Sequence, residues 1–450
     1  GQDEQDAALT RLLDHYLHAA ASAMDILYPA ESDRRPRIPA PTTSGPPVAE
    51  RATARAWLDA ELATLVAVTV HAAGHGWPGY VTRLAATLAR YLHVGGHHPE
   101  AITIHSHARA AARHTADRAA EAHALHYLAN VHYQQSRYQQ AADDFRQALA
   151  LWQETGDRAG QGRVLNNLGN IHHYLGRYRE AIGFFRQAMA IFREIGDPYG
   201  TAASLNNMGI CEEQQGRYDL AVRHHQQSLA IAAELGARDF ECSALVNLGT
   251  VGLRQGRYQQ AAGHLHRALV LSREIGSRNV EADALVRTGD LCQRQGRPEE
   301  AFTQLRRALT LRRELGNRSG EADALNGLGE VLLATGQPDH ARAEHDAALA
   351  MAAQAGDKYQ QARAHHGLGQ ASDAHGDPGE ARRHWQHALD LFTELGTPEA
   401  GQVRAQLAAA DASHHKQLTP LGCPAPPAPA TTPNGSWSPD TPPASPPGMP

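Results

Sequence analysis

Read for apolar and polar positions alone, residues 160–195 resolve into two short periodic stretches separated by a glycine. Leu165, Leu168, Gly169 and His172 fall on one side of a helix, and after Gly176 a second stripe follows through Ala181, Phe185, Ala188, Met189 and Phe192. The pattern predicts helix, turn, helix. Gly176 stands where a residue without Cβ lets the chain leave the first helix, Tyr178 and Ala181 open the second, Gly196 ends it, and Asp197 is placed to cap the next. Gly169 and Ala181 are small, as a close approach of the two helices requires.

This unit recurs every 40 residues without insertion. Gly-Arg-Tyr stands at 176–178, 216–218 and 256–258, with a variant at Ser136-Arg137-Tyr138. Weaker copies are Gly96-His97-His98, Gly296-Arg297-Pro298, Gly336-Gln337-Pro338 and Gly376-Asp377-Pro378. Five positions into each stands an alanine, from Ala101 and Ala141 through Ala341 and Ala381. Neither helix of a unit can bury its apolar face alone, so the units must stack. The predicted fold class is all-α, a right-handed superhelical α-solenoid of about eight helix pairs with N-terminal capping helices.

The ends read differently. Leu12, Leu13, Tyr16, Leu17, Ala20 and Met24 form a helical stripe over 1–28 that Pro29 stops, and 29–50 is a Pro-rich linker. A capping helix is expected over 51–78, with Trp57 and Leu58 covering the first face of the array. The solenoid then runs over 79–397, a C-terminal capping helix over 398–416, and a disordered Pro-rich tail over 417–450, expected to be inert.

Helix geometry places the candidate binding face. Opposite the buried stripe of residues 165, 168, 169 and 172 lie Arg163, Asn166, Asn167, Asn170 and His173, facing the inner side of the array. One unit earlier these positions hold His123, His126, Tyr127, Asn130 and Tyr133, and one unit later Ala203, Asn206, Asn207, Ile210 and Glu213. Asn247 and Thr250 follow, then Asp283, Arg287 and Asp290, then Asp323, Asn326 and Glu330. Each asparagine amide carries donor and acceptor together, which suits pairing with a peptide backbone of any sequence. The partner-binding set drawn from this face is His126, Asn130, Arg163, Asn166, Asn167, Asn170, Asn206, Asn207, Asn247, Arg287, Asp290 and Asn326. Two other uses of the asparagines stay open: solvation, or bonds to the next unit's helix that fix the superhelix pitch. The acidic end at Asp283, Asp290, Asp323 and Glu330 would suit a basic ligand segment, or be solvated charge.

Composition narrows the function classes. Apolar residues make up 42% with no run of 18 or more, so no membrane span is expected, and no signal segment is visible. A net charge of −6 argues against a nucleic-acid partner. Only two lysines occur, Lys358 and Lys416, which with the abundant alanine suggests a GC-rich, actinobacterial genome. Cys211, Cys242, Cys292 and Cys423 form no C-x-x-C pair and read as reduced thiols of a cytoplasmic protein. The 28 histidines include doublets such as His172-His173 and His224-His225, but no H-E-x-x-H or Cys/His ligand spacing accompanies them. No phosphate loop, nucleophile elbow or dinucleotide fingerprint is present either, so neither catalysis nor a metal or other cofactor is expected.

Leu-Gly in the first helix, Gly-x-Tyr at the turn and the Ala, Phe and Ala of the second resemble the tetratricopeptide repeat over residues 80–396. The unit exceeds the 34-residue form by six residues, which lengthen the helices. In similar arrays, kinesin light chains and peptide-sensing regulators among them, an asparagine ladder clamps an extended peptide. The resemblance implies that role for Asn166, Asn167, Asn206, Asn207 and Asn247. The segments Arg11-Leu12-Leu13-Asp14-His15-Tyr16-Leu17 and Trp57-Leu58-Asp59-Ala60-Glu61, with the repeats behind them, resemble the C-terminal part of actinobacterial STAND-type ATPases, including the large SARP antibiotic regulators. There an effector and an NB-ARC nucleotide-binding module come first. This chain has no G-x-x-x-x-G-K-[ST] loop, and its opening at Gly1 favours a sensor fragment. The resemblance implies a non-catalytic scaffold that senses or recognises partners for a transcriptional regulator. Its partners would be a protein or extended peptide in the concave groove and an NB-ARC ATPase module on the N-terminal side. The alternative is a structural adaptor that assembles through the convex Arg146, Arg186, Arg267, Arg306 and Arg307.

Overall fold

The computed structural model describes residues 2–29, 32, 35–39, 50–135 and 137–418. Most of the expected linker, and the expected tail beyond Leu418, lie outside the described residues, as does Cys423. Among the described residues there is no strand. Two helices lead, α1 (Gln2–Leu27) and α2 (Arg51–Gly74). Eight pairs follow. They are α3 (Pro78–Gly95) with α4 (His98–His114), α5 (Arg118–Gln134) with α6 (Tyr138–Thr155), α7 (Arg158–Tyr174) with α8 (Tyr178–Glu194), and α9 (Pro198–Gln214) with α10 (Tyr218–Leu235). The later four are α11 (Arg238–Arg254) with α12 (Tyr258–Glu274), α13 (Arg278–Arg294) with α14 (Pro298–Glu314), α15 (Arg318–Ala334) with α16 (Pro338–Ala355), and α17 (Lys358–Ala374) with α18 (Pro378–Leu395). The last helix is α19 (Glu399–Leu418). Each helix from α1 to α17 packs on the next, and from α7 onward the first helices of adjacent pairs also touch, which is the stacking of a solenoid.

The helix ends follow from local chemistry. Asp157 and Asp197 accept from the backbone N–H of Gly160 and Gly200 at 2.8 and 2.9 Å, satisfying donors that a helix start leaves orphaned. At the turn inside the pair, Gly176 adopts φ +72°, and the N–H groups of Gly176 and Arg177 return to the carbonyls of His173 and His172. Ala116 stands between pairs, at the helix end that Gly156 and Gly196 occupy in later units, with φ +55°, where its Cβ is strained. Replacing Ala116 by Gly is expected to raise stability by about 0.5–1 kcal/mol, read as a higher urea midpoint.

Small residues set the approach within a pair. A Cβ on Gly169 would lie 2.5 Å from Phe185 Cε1, so the expected contact is met. The ring position held by Phe185 is Phe145, Leu265, Leu305 and Trp385 in other units, and histidine in three: His105, His225 and His345. Gly209 and Gly329 lie against the imidazoles of His225 and His345 in the same way.

The N-terminal helices pack as a separate layer of core. Leu13, Leu17 and Met24 of α1, Leu58 and Leu65 of α2, and Leu84 and Leu88 of α3 are buried together, with Trp57 half-buried beside them. Asp59 accepts from the Tyr91 hydroxyl at 2.7 Å, tying α2 to α3. Against the sequence expectation, α2 is long and apolar enough for a membrane span, with mean hydropathy 1.2 over its best stretch. Its buried Ala54, Leu58, Leu65 and Ala72 are core positions in a bundle with α1, α3 and α4, while Val70 is exposed and only 28% of the apolar stretch is buried.

The array also meets itself. Leu395 joins Tyr178, Leu205, Met208 and Cys211 in one apolar cluster, and Pro398 reaches Gly216. Arg254 of α11 donates to Glu399 Oε1 at 2.7 Å across 145 residues of sequence, and to the Tyr359 hydroxyl at 2.5 Å. The turn before α19 thus seats on the turns of α7–α8 and α9–α10. Val403 and Leu407 of α19 are buried in this unit, which spans Gly1–Leu407. Of the second unit, Ala408–Pro450, the structure describes helical backbone as far as Leu418.

Candidate functional site

The inner positions are half-buried in α7 and α9. Arg163, Asn166, Asn167 and Asn170 line α7, and Ala203, Asn206, Asn207 and Ile210 line α9. The asparagines are joined between units. Asn167 Nδ2 donates to Asn130 Oδ1 at 3.4 Å, Asn207 Nδ2 lies within reach of Asn166 at 3.4 Å and Asn170 at 3.2 Å, and Asn247 Nδ2 donates to Asn206 Oδ1 at 3.0 Å. His225 Nδ1 donates to the same Asn206 oxygen at 3.0 Å, coupling a core imidazole to the wall. An amide has two N–H donors and two acceptor lone pairs, so these contacts leave capacity for a ligand backbone.

The pattern changes in the later units. Asn326 is fully buried, which corrects the expectation that it faces an open wall. Its Nδ2 donates to the carbonyl and Oε1 of Gln360, both at 3.1 Å, and its Oδ1 accepts from His345 Nδ1 at 3.0 Å. The cause is closer packing of the inner helices: α15 and α17 touch more extensively than α7 and α9, covering the position of Asn326, the equivalent of Asn166 and Asn206. Val246 and Val286 are buried at that position too.

The acidic stretch is paired with arginines of the chain, though Asp283 and Glu330 keep 49% and 36% of their side chains exposed. Arg287 pairs with Asp290 at 2.7 Å and with Asp323, Arg363 reaches Asp323 at 2.5 Å and Glu330 at 2.7 Å, and Arg312 pairs with Asp283. Burial alone would raise the Asp323 carboxyl, but Arg287 and Arg363 more than offset it and hold it below the usual range. At Asp283 and Asp290 burial wins, and their pKa values are raised. Arg287 and Asp290 therefore belong to an internal ion network.

At the other end of the wall lies a cavity of about 650 Å³. His126, Asn130, Arg163, Asn167 and Asn170 border it, so five of the residues expected from sequence converge there. Sequence reasoning missed its floor, where His105 of α4 and Trp152 of α6 come from second helices, and Arg35, which reaches in from the linker. The recurrence of histidine at one ring position, three units apart, was the available signal for His105. Arg35 is held there by Asp25 at 2.6 Å and by the Tyr28 carbonyl at 3.1 Å. Burial pushes the His105 and His126 imidazoles down to about 3, so both are neutral near pH 7.

Elsewhere the convex arginines are partly engaged within the chain. Arg146 pairs with Asp143 at 2.7 Å, Arg267 with Glu241 at 3.4 Å, and Arg306 lies over the Phe302 ring. Cys211, Cys242 and Cys292 are buried free thiols, and burial pushes Cys242 up to about 11. Among the described residues no group of three or more His, Cys, Asp or Glu side chains could hold a metal ion.

The sequence profile of the tetratricopeptide repeat matches residues 81–154, 160–234, 240–314 and 320–394. Solved structures share the fold at low identity. Aspartyl phosphate phosphatase F from Bacillus subtilis aligns over 73% of this chain and 79% of its own, at 14% identity and a TM-score of 0.53. The apo form of the quorum sensor NprR from B. thuringiensis aligns over 75% and 99%, at 15% identity and a TM-score of 0.51. A Rap protein complexed with Competence and Sporulation Factor aligns over 80% and 99%, at 13% identity and a TM-score of 0.51. No curated protein matches the sequence significantly.

Proposed function

Because the chain belongs to the tetratricopeptide repeat family, we propose that it is a non-catalytic scaffold whose inner wall receives a protein or extended peptide segment. In this reading it is the sensor or partner-recognition part of a signal-transducing transcriptional regulator, coupled to an NB-ARC ATPase module on its N-terminal side. The observation that carries the binding role is the row of linked, half-buried amides from Asn130 through Asn247. These amides hold one another in place before a ligand arrives, so little side-chain freedom is lost on binding. An extended chain offers one donor and one acceptor per residue, and each bond to a positioned amide is worth about 1 kcal/mol net. The ion network of the later units, with Arg287 and Asp290, would serve as a stiff support for this surface. Two proteins of like fold, a quorum sensor and a Rap protein bound to Competence and Sporulation Factor, accord with a ligand-receiving role. The link to an ATPase module rests on the resemblance of the Trp57–Glu61 segment and the helix before it.

A random linear peptide library panned against the purified chain supplies the test. Selected peptides are expected to lose at least tenfold in affinity to the Asn207→Ala/Asn247→Ala variant, about 1.4 kcal/mol or more, with helicity unchanged. Equal affinity for the variant and the parent would remove the wall from the account.

A further inference from the structure

We propose that the cavity at the N-terminal end of the wall is a separate small-molecule site for a flat aromatic acid, one ring system bearing one carboxylate. The site adjoins the amide row but needs no peptide in it.

Its size suits such a ligand, since about 650 Å³ lies within the range of small-molecule pockets. The walls are flat. The His105 and Tyr127 rings stack at 5.1 Å and 26°, and His123 continues the stack on Tyr127 at 6.5 Å and 23°. Trp152 stands nearly perpendicular to His123, at 5.5 Å and 79°. Stacked and edge-on packing are the two arrangements that aromatic groups prefer, and both already occur among these lining rings.

The cavity is also short of partners for its own polar atoms. Nδ1 of His105, Nδ1 of His126 and Nε1 of Trp152 are buried without a hydrogen-bond partner. His105 and Trp152 are each 1% exposed. Buried polar atoms are paired in nearly all folded proteins, and an indole N–H can only donate, so Trp152 calls for an acceptor.

Charge selects an anion. Arg35, Arg90 and Arg163 line the cavity against one carboxylate, Asp157. Asp157 is committed to capping α7 through Gly160 N–H, and it stands 4.0 Å from Arg163. Arg35 is held by Asp25. Arg163, poised over the Trp152 ring at 5.9 Å, is therefore the guanidinium best placed to fork a carboxylate. With the imidazoles neutral, a cationic ring would meet Arg163 with only the helix-capping Asp157 to offset it.

Titration calorimetry on the full chain tests this with indole-3-acetate and 4-hydroxyphenylacetate as probes, against neutral indole and cationic tryptamine. At least one acid is expected to bind saturably and at least tenfold more tightly than indole or tryptamine. Arg163→Gln, at a half-exposed position, should weaken that binding at least tenfold with thermal unfolding unchanged, and Trp152→Phe should weaken it as well. The Asn207→Ala/Asn247→Ala variant should bind the acid like the parent, so failure of the peptide reading would leave this result standing. Absence of saturable binding by both acids, equal binding of tryptamine, or an Arg163→Gln variant as tight as the parent would overturn the proposal.

Discussion

Between pH 7.5 and pH 5.5, three imidazoles that the core holds neutral are expected to contribute a loss on the order of 4 kcal/mol. His105, His225 and His345 are at most 1% exposed. Burial pushes the first two down to about 3 and the third to about 4. Above the ordinary histidine value near 6.5 both the folded and the unfolded chain carry these groups neutral, and no stability is at stake. Below it the unfolded chain takes up the proton and the folded chain does not. Each group then removes about 1.4 kcal/mol per pH unit until its folded pKa is reached. His126, His173 and His365, pushed down by burial to about 3, 4 and 4, add to the loss with the same sign. The carboxyls of Asp323 and Glu330, held low by their arginines, lose stabilising power only below the ordinary carboxylate range, while Asp283, Asp290, Glu213 and Asp357, raised by burial, act with the opposite sign and offset part of the histidine loss. Urea midpoints at pH 7.5 and 5.5 measure the loss. His225→Phe places at that position the residue found at Phe145 and Phe185, and should remove about 1.4 kcal/mol of the pH dependence. A midpoint independent of pH would show that these rings are not buried neutral.

Arg254→Ala is expected to cost about 2–3 kcal/mol and to loosen the contact of the array with itself. Arg254 satisfies Glu399 at 2.7 Å and Tyr359 at 2.5 Å, while Tyr359 donates to Glu399 Oε1 at 2.9 Å and Glu213 lies 3.9 Å away. The carboxylates of Glu399 and Glu213 are 16% and 7% exposed. Without the guanidinium they stay confined with no cation opposite, and moving the α19 turn outward is the relief open to them. The arginine itself is 29% exposed, so the cost falls below that of a fully buried pair. Tyr359→Phe, which keeps both charges, should cost about 1 kcal/mol. The urea midpoint should fall for Arg254→Ala and the radius of gyration by X-ray scattering should rise. Neither changing would mean that Leu395 and its apolar neighbours close the contact alone.

The helix pairs and their glycine turns were legible because they are local and periodic. Gly176, Phe185 and Asp197 each announce their role within a few residues of sequence, and eight copies repeat the message. Contacts between units depend on pitch, which no single unit encodes. The asparagine row was visible, yet the linking of Asn207 to Asn170 and of Asn247 to Asn206 rests on how far each inner helix is displaced from the last. Tightening of that spacing buries Asn326 where Asn206 remains on the surface. The acidic positions read as an open charged wall because Arg363 and Arg312 enter from other helices. The cavity needed Arg35 from a segment with no periodicity at all, and the seat of Leu395 on Tyr178 joins residues that no local pattern relates.

The most direct measurement places a benzophenone side chain at Ala203, on the inner wall between Arg163 and Asn247, or at Gln187, on the exposed face of α8, and irradiates each variant with a peptide selected on the parent chain. The account predicts a crosslink from position 203 that unlabelled peptide competes away, and none from position 187. Crosslinking from Gln187 in place of Ala203 would put the ligand on the outer surface and contradict it.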